Sequence, residues 1–199
     1  MASLPLDVQN VLNKQLGKVV RRDFESEAKK RFQKIKKELI DEFSKHPVTL
    51  ELLSGASGYN ISNTLDGVSN LFSFIGFDSS YDPIQPILSI LNSIEITYGG
   101  EINMGNKFNV NMPTAEDIFA VTPMPWASGR SWAKGIESGI SGLGFLLRKT
   151  SSKSRSGQAI QSGVKVRGGK FKNTPYISSL IIKYSKKFSE LKWLNNSNI

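Results

Sequence analysis

The chain has 199 residues, of which 26 are Lys or Arg and 17 are Asp or Glu, giving a net charge of +9. This length fits one ordinary domain with an appended arm, and every apolar run is far shorter than the roughly 20 residues of a membrane-spanning helix. The absence of cysteine excludes disulfides, thiolate zinc sites and cysteine nucleophiles. Because no secretory leader is evident either, the composition predicts a soluble, cytosolic protein without a metal.

Charge is divided unevenly along the chain. Residues 1–50 carry a net +4, residues 51–125 a net −7 and residues 126–199 a net +12. An acidic middle and a basic end suit contact between identical subunits or a polyanion near the basic end, and mutual neutralisation within one monomer is the alternative. The chain divides into a helix (1–46), an acidic, aromatic and loop-rich middle of the same domain (47–125), and a basic sheet and C-terminal helix (126–199).

A long amphipathic helix is predicted over Leu6–Lys45. Its apolar residues recur every three to five positions, which places them on one face of a helix. At about 1.5 Å per residue this helix is a rod roughly 60 Å long, whereas a compact domain of this size has a radius of gyration of about 16–17 Å. We therefore expect it to break or to pack on neighbouring chains. Its lysine-rich run is interpreted as a solvated face, with a nucleic-acid-binding face as the alternative.

The acidic middle is predicted to hold short elements. His46-Pro47 ends the long helix because a residue that precedes proline disfavours helical geometry. A strand is predicted at residues 48–53, and a short helix at residues 84–91. Between them lies an aromatic-rich stretch that either fills the core or contacts another chain: Leu71, Phe72, Phe74 and Phe77.

Alternating apolar and polar residues predict antiparallel strands in the second half of this middle segment. The predicted strands are residues 93–98, 101–104 and 107–112. Gly99-Gly100 is predicted to form the turn between the first two of them.

Further elements complete the predicted fold. Thr114 is a good N-cap for a short helix at residues 114–119. The density of glycine within residues 132–147 disfavours a helix and favours a long, bent strand, which a strand at residues 159–167 follows after a polar loop. Pro175 opens the final helix. The sequence therefore predicts an α+β fold in which a long N-terminal helix and a C-terminal helix pack on a curved, mainly antiparallel sheet.

Catalytic and metal-binding patterns do not emerge from the sequence. The single histidine, His46, lies at a helix end without a motif-related partner, and Glu116 and Asp117 point to different sides of a helix. A glycine-rich turn has Phe171 where a phosphate-binding loop requires Ser or Thr. Asn60 fits a glycosylation acceptor, but no secretory leader accompanies it. We therefore predict no enzyme activity, no metal and no cofactor.

Positive charge concentrates on predicted loops near the end of the chain. Lysine and arginine on such loops contact phosphate groups independently of base sequence. A basic, sequence-nonspecific nucleic-acid-binding protein is accordingly the alternative function. The candidate DNA-facing residues are Arg148, Lys149, Lys153, Arg155, Arg167, Lys170 and Lys172.

The end of the chain also resembles a known family. Residues 156–167 (SGQAIQSGVKVR) and 173–177 (NTPYI), which lead into the last helix, resemble tailed-bacteriophage neck and tail-completion proteins, the small head–tail connectors. So does the predicted arrangement of a long N-terminal helix, a glycine-rich bent sheet with a polar loop, and a closing helix. The resemblance implies a non-enzymatic structural subunit of a ring at the neck or tail end. It also implies a virion location, with assembly in the host cytoplasm. The partners it implies are copies of itself, other virion neck or tail proteins and passing DNA, with no membrane.

Ring assembly sets a requirement on the subunit surface. Subunits that meet head to tail need one face that complements a different face of the next copy. The acidic middle and the basic end supply complementary charge, and the overhanging helix and aromatic stretch supply apolar contact. The predicted subunit interface comprises Leu12, Leu16, Phe24, Phe32, Leu71, Phe72, Phe74 and Phe77.

Overall fold

A computed structural model of the chain describes residues 6–65, 69–102, 105–125, 127–138 and 172–190. Within the first helix it describes side chains from Arg21 onward. The described helices are α1 (Leu6–Lys45), α2 (Pro47–Leu53), α3 (Leu71–Ile75), α4 (Gln85–Asn92), α5 (Ala115–Ala120), α6 (Trp132–Ser138) and α7 (Ile177–Ser189), with a 3₁₀ turn at Gly55–Ser57. The described strands are β1 (Ile96–Ile102), β2 (Gly105–Val110), β3 (Pro123–Met124) and β4 (Ala127–Ser131).

The fold is α+β, as the sequence predicts, with a long N-terminal helix, a C-terminal helix and small antiparallel sheets. β1 pairs with β2 and β3 pairs with β4, so the described residues contain two separate two-stranded sheets. Ile96 lies opposite Val110, and Ile102 lies opposite Gly105. The predicted helix at residues 84–91 is confirmed as α4. Thr114 caps α5 as predicted, because its hydroxyl accepts from the N–H of Asp117, whose carboxylate accepts from the N–H of Thr114.

The bounds of α1 agree with the predicted helix at both ends. In its second half Ala28, Phe32, Leu39 and Phe43 are buried, at the spacing that returns to one face of a helix. The helix ends at Lys45, since His46 adopts an extended conformation (φ −62°, ψ 136°) before Pro47.

α7 packs antiparallel on the buried face of α1. The ring of Phe188, near the end of α7, lies 5.5 Å from that of Phe32, and Tyr176, just before α7, stacks on Phe43 at 5.9 Å. Each such aromatic side chain contributes about 1.5–3 kcal/mol when it is fully buried. The first and last described helices are thus held together by a continuous apolar seam.

The core is centred on Tyr176 and Trp132, both fully buried. Their ring centroids lie 6.4 Å apart, and Phe77 meets Trp132 edge-on at 5.8 Å. The hydroxyl of Tyr176 forms a 2.8 Å hydrogen bond with the hydroxyl of Thr49 on α2. Residues from α1, α2, α3, α4, α5, α6 and α7 contribute to this one cluster.

Residues 48–53 are helical, so the prediction of a strand there is wrong. Pro47 occupies the first turn of α2, where its missing N–H is no loss. Nδ1 of His46 accepts from the N–H of Val48 at 3.2 Å and caps the helix. Val48 and Leu52, four residues apart, are buried, which supplies the tertiary contact that overrides the strand preference of Val48.

The prediction of a turn at Gly99-Gly100 is also wrong. Both glycines lie within β1, where the pairing register shifts between Tyr98 and Gly100. Gly100 has φ +106°, a conformation that residues with a Cβ rarely adopt. The glycine pair therefore forms a bulge in one strand, and Glu101 and Ile102 continue β1 rather than begin another strand.

The long strand predicted at residues 132–147 is wrong over residues 132–138, which form α6. Trp132, Ala133 and Ile136 are buried at helical spacing, so packing outweighs the unfavourable propensity of Gly135. The rest of that predicted strand, the polar loop after it and the predicted strand at residues 159–167 lie outside the described residues.

Candidate interaction surfaces

Of the seven predicted DNA-facing residues, the structure describes only Lys172. Lys172 is exposed, and its N–H donates to the carbonyl of Thr64 at 3.1 Å. This bond attaches the segment before α7 to the loop after α2. The other six predicted residues lie outside the described part of the chain: Arg148, Lys149, Lys153, Arg155, Arg167 and Lys170.

Most of the predicted subunit interface is core. The side chains of Leu12 and Leu16 are outside those described, and Phe24 is half-buried. The other five predicted residues are buried inside the single chain, so the prediction that they contact a neighbour is wrong and the core alternative holds: Phe32, Leu71, Phe72, Phe74 and Phe77. The aromatic stretch is buried because Leu71–Ile75 forms a short helix, α3, that packs against α2. Phe77, which follows it, contacts the rings of Phe72 and Trp132.

A stripe of positive side chains runs along the outward face of α1. We define this α1 stripe as five exposed residues, none of which has a hydrogen-bond or ion-pair partner among the described side chains: Arg22, Lys29, Lys30, Lys34 and Lys37. Other cations of α1 do have partners. Arg21 pairs with Glu25 at 2.9 Å and covers the Tyr98 ring, and Arg31 pairs with Glu27 at 2.7 Å.

Acidic residues on the flank of α1 face α7. Oε2 of Glu38 lies 3.0 Å from Nζ of Lys187, and Oε2 of Glu42 lies 2.7 Å from Nζ of Lys183. Hydrogen bonds from Lys183 and Tyr184 hold the pKa of the Glu42 carboxyl below its ordinary value. These carboxylates are therefore engaged within the chain and do not neutralise the α1 stripe.

His46 joins α2 to the segment before α7. Its Nδ1 accepts from Val48, its ring lies 4.8 Å from that of Tyr176, and the Pro175 carbonyl forms a hydrogen bond with it. Burial lowers the pKa of the imidazole below its ordinary 6.5, although the Pro175 bond and the nearby Glu42 charge oppose this shift. The residue acts as a cap and a packing element in this arrangement.

Glu51 is a fully buried carboxylate that fixes the loop after α2. Its Oε2 accepts from the N–H of Ser62 and its Oε1 from the N–H of Leu71, both at 2.7 Å. Asn70 fixes the same loop from the other side, since Nδ2 donates to three carbonyls: those of Gly55, Ala56 and Gly58. Neither residue was singled out by the sequence, because each acts on chain segments whose position depends on the fold.

Four large apolar side chains are exposed on α2 and on the loop that follows it. Leu50 and Leu53 of α2 are exposed, the latter by 54%, and Tyr59 and Ile61 of the loop are exposed by 87% and 48%. The Ser62–Glu51 bond holds the loop beside α2. We call these four residues the α2 patch. The sequence does not predict this patch, because Leu50 and Leu53 point to opposite faces of the strand predicted at residues 48–53.

The described part of the chain also carries two open pockets. One, of about 300 Å³, is lined by Phe119, Arg130, Ser131 and Lys134, and Lys134 pairs there with Glu116 at 3.2 Å. The other, of about 510 Å³, is lined by Lys45, His46, Pro47, Tyr184 and the acidic flank of α1. Nδ2 of Asn60, the atom that glycosylation would modify, is buried.

Among the described residues, no group of three or more His, Cys, Asp or Glu side chains is arranged to hold a metal ion. No described helix is both long and apolar enough to span a membrane. The chain matches no protein-family model, no curated protein and no solved structure.

Proposed function

We propose that this chain is a non-enzymatic structural subunit of a tailed-bacteriophage virion, which assembles with copies of itself into a ring at the neck or tail end. The proposal starts from the resemblance of the sequence to neck and tail-completion proteins. That resemblance includes a long N-terminal helix and a closing helix after Pro175. The described chain has a helix at each of these places, α1 and α7.

The observation that carries the proposal is the length of α1 relative to the part of it whose side-chain contacts the structure describes. α7 covers α1 between Phe32 and Phe43, and the β1–β2 hairpin reaches α1 at Arg21, which covers the Tyr98 ring. A further 15 residues of α1, from Leu6 onward, precede Arg21. At about 1.5 Å per residue they extend the helix by roughly 22 Å. An amphipathic helix of this length gains stability chiefly by packing its apolar face, and a neighbouring subunit supplies such a surface.

The α2 patch is the second surface that supports assembly. A ring needs two different faces that complement each other, because its subunits meet head to tail. The patch is apolar and uncharged, and its four side chains gain free energy by leaving water at about 25 cal/mol per Å². We propose that the first turns of α1, which carry Leu12 and Leu16, pack on the α2 patch of the next copy.

Assembly is tested by light scattering and electron microscopy of the purified chain. The wild type is expected to form a closed ring, and Leu50→Ser/Leu53→Ser and Leu12→Gln/Leu16→Gln are each expected to give monomers. Ile182→Ser is the matched control, because Ile182 is an aliphatic side chain that is 70% exposed and belongs to α7 rather than to α2 or the loop after it. This variant should assemble normally.

Two results would overturn the proposal. A wild-type chain that remains monomeric at high concentration argues against any ring. Assembly of the Leu50→Ser/Leu53→Ser variant to the same extent as the wild type removes the α2 patch from the interface. The phage assignment has its own test, since an antibody against the chain should label one end of the tail or neck in micrographs of virions, and unlabelled virions would contradict it.

A further inference from the structure

We infer that the α1 stripe binds the phosphate backbone of duplex DNA. The five positions of the stripe span roughly 140° of the helix circumference, counted at about 100° per residue. Lys30, Lys34 and Lys37 are spaced four and three residues apart, and Arg22 and Lys29 are seven apart, so all five side chains share one side of α1. From Arg22 to Lys37 the stripe is about 22 Å long.

Few described carboxylates face this stripe; the charge of Glu27, which pairs with Arg31, also acts on Lys30. Glu25 and Glu27 pair with Arg21 and Arg31, and the carboxylates toward the end of α1 turn to α7. Asp23 and Asp41 are exposed near the two ends of the stripe, which leaves residues 29–37 without an acidic side chain. Lys36 is the one lysine of that run with described partners, the carbonyls of Asn92 and Ile94 at 2.5 and 2.8 Å.

Repulsion between the stripe residues destabilises α1 in the isolated chain. Lys30 and Lys34 are like charges at positions i and i+4 of a helix, which is unfavourable by about 0.2–0.5 kcal/mol. A polyanion removes that repulsion. Duplex DNA carries about one negative charge per 1.7 Å of axis, so the length of the stripe spans enough phosphates to engage every member. Contacts of this type are indifferent to base sequence.

Other anionic partners fit the stripe less well. A helix that lies on a lipid surface needs an apolar face turned to the membrane, but the apolar side chains beside the stripe, from Ala28 to Phe43, are buried within the chain. Single-stranded nucleic acid is held by aromatic stacking platforms, and the outward positions between the stripe residues are Ser26 and Gln33. Lysines without stacking partners suit a duplex.

The inference does not rest on ring assembly, since the stripe is exposed on a single chain. It differs from the sequence-based prediction, which assigned DNA contact to the loops that contain Arg148 and Lys149. The two assignments are separable because they involve basic residues in different segments of the chain, so that four residues of either set can be replaced without changing the other.

The test compares two full-length variants of equal charge. The stripe variant replaces Lys29, Lys30, Lys34 and Lys37 with Gln, which retains helix propensity, and the loop variant replaces Arg148, Lys149, Lys153 and Arg155 with Gln. Binding to a fluorescent random-sequence duplex is followed by anisotropy between 50 and 200 mM salt. Circular dichroism verifies that both variants keep the wild-type helix content.

The stripe variant is expected to bind at least tenfold more weakly at 100 mM salt. The slope of log binding constant against log salt concentration should be shallower by up to about 3.6, because each lost phosphate contact removes about 0.9 from its magnitude. The loop variant should stay within threefold of the wild type. The inference is overturned by equal losses in both variants, by a loss in the loop variant alone, or by absence of wild-type binding at 50 mM salt. It is equally overturned if the stripe variant loses binding to phosphatidylglycerol vesicles but keeps binding to DNA.

Discussion

The hydroxyl of Tyr184 on α7 donates a hydrogen bond to Oε2 of Glu42 on α1, with 2.7 Å between the two oxygens. Nζ of Lys183 binds the same carboxylate at 2.7 Å. Burial, reinforced by this hydrogen bond and by the Glu42 charge, raises the pKa of the Tyr184 phenol above its ordinary value. The polar contact borders the apolar seam of Phe32 and Phe188, so it fixes the register in which α7 lies on α1.

Replacement of Tyr184 with Phe keeps the ring in the seam and removes only the hydrogen bond. We expect the free energy of unfolding to fall by about 1–2 kcal/mol, because a hydrogen bond to a charged group is worth more than a neutral one. Urea denaturation measures the change. Lys186→Gln is the control: its pair with Glu190 spans 3.7 Å between exposed side chains, and its loss should change stability by under about 0.5 kcal/mol. Equal stability of Tyr184→Phe and wild type would contradict this role.

Glu51→Gln tests the buried carboxylate beneath the loop. The amide presents an oxygen to only one of the two N–H groups, of Ser62 and Leu71, and leaves the other facing its own NH₂. We expect a loss of about 1–3 kcal/mol, the usual consequence of an unsatisfied buried donor. Thermal or urea unfolding measures it. Glu116→Gln removes an exposed carboxylate and should be nearly neutral, and comparable losses in the two variants would contradict the proposed role of Glu51.

Asn70→Asp separates two functions of one side chain. The carboxylate can still accept from the N–H of Ser73 and cap α3. It cannot donate to the three carbonyls of the Gly55–Gly58 turn and instead places a negative charge against them. We expect a greater loss of stability than the roughly 1 kcal/mol of a typical cap substitution. A variant as stable as the wild type would show that the cap alone matters.

The single histidine makes stability depend on pH in one direction. The pKa of His46 is lower in the folded chain than in the unfolded chain, so the unfolded chain binds more protons below about pH 6.5. The neutral imidazole of His46 contributes fully to the stability of the fold above that pH, and this contribution is lost as the pH falls through the folded pKa.

His46→Asn keeps a capping side chain but removes this titration. The difference in unfolding free energy between wild type and variant, measured from pH 7.5 to pH 5, should shift against the wild type as the pH falls. A difference that is constant with pH, or that shifts in favour of the wild type, would contradict the buried position of the imidazole.

The helices that local signals specify could be predicted from the sequence. Proline ends α1 at Lys45, Thr114 with Asp117 begins α5, and Pro175 precedes α7. In each case the signal is a cap or a break within a few residues. The apolar periodicity of α1 likewise identified its inner face.

Elements decided by tertiary packing were mispredicted. α2 is a helix because Val48 and Leu52 reach the core together, and α6 is one because Trp132 and Ile136 do so. The glycines of β1 make a bulge whose register depends on the partner strand. Leu71, Phe72 and their neighbours satisfy the composition of a core and of an interface equally well, and only the fold distinguishes the two.

The candidate surfaces also depend partly on local sequence and partly on tertiary packing. The lysine-rich run of α1 is evident in the sequence, but which of its members remain unpaired depends on α7, which lies about 140 residues later. The α2 patch depends on a helix that the sequence did not predict.

The pairing of α1 with α7 also sets the order of events during synthesis. Lys183 and Glu42 are 141 residues apart, and chains grow at about 5–20 residues per second. The apolar face that carries Phe32 and Phe43 therefore leaves the ribosome on the order of ten seconds before the helix that covers it. Nascent chains that end before α7 expose this face, which makes them the natural targets of chaperones and the form of the protein most prone to aggregate.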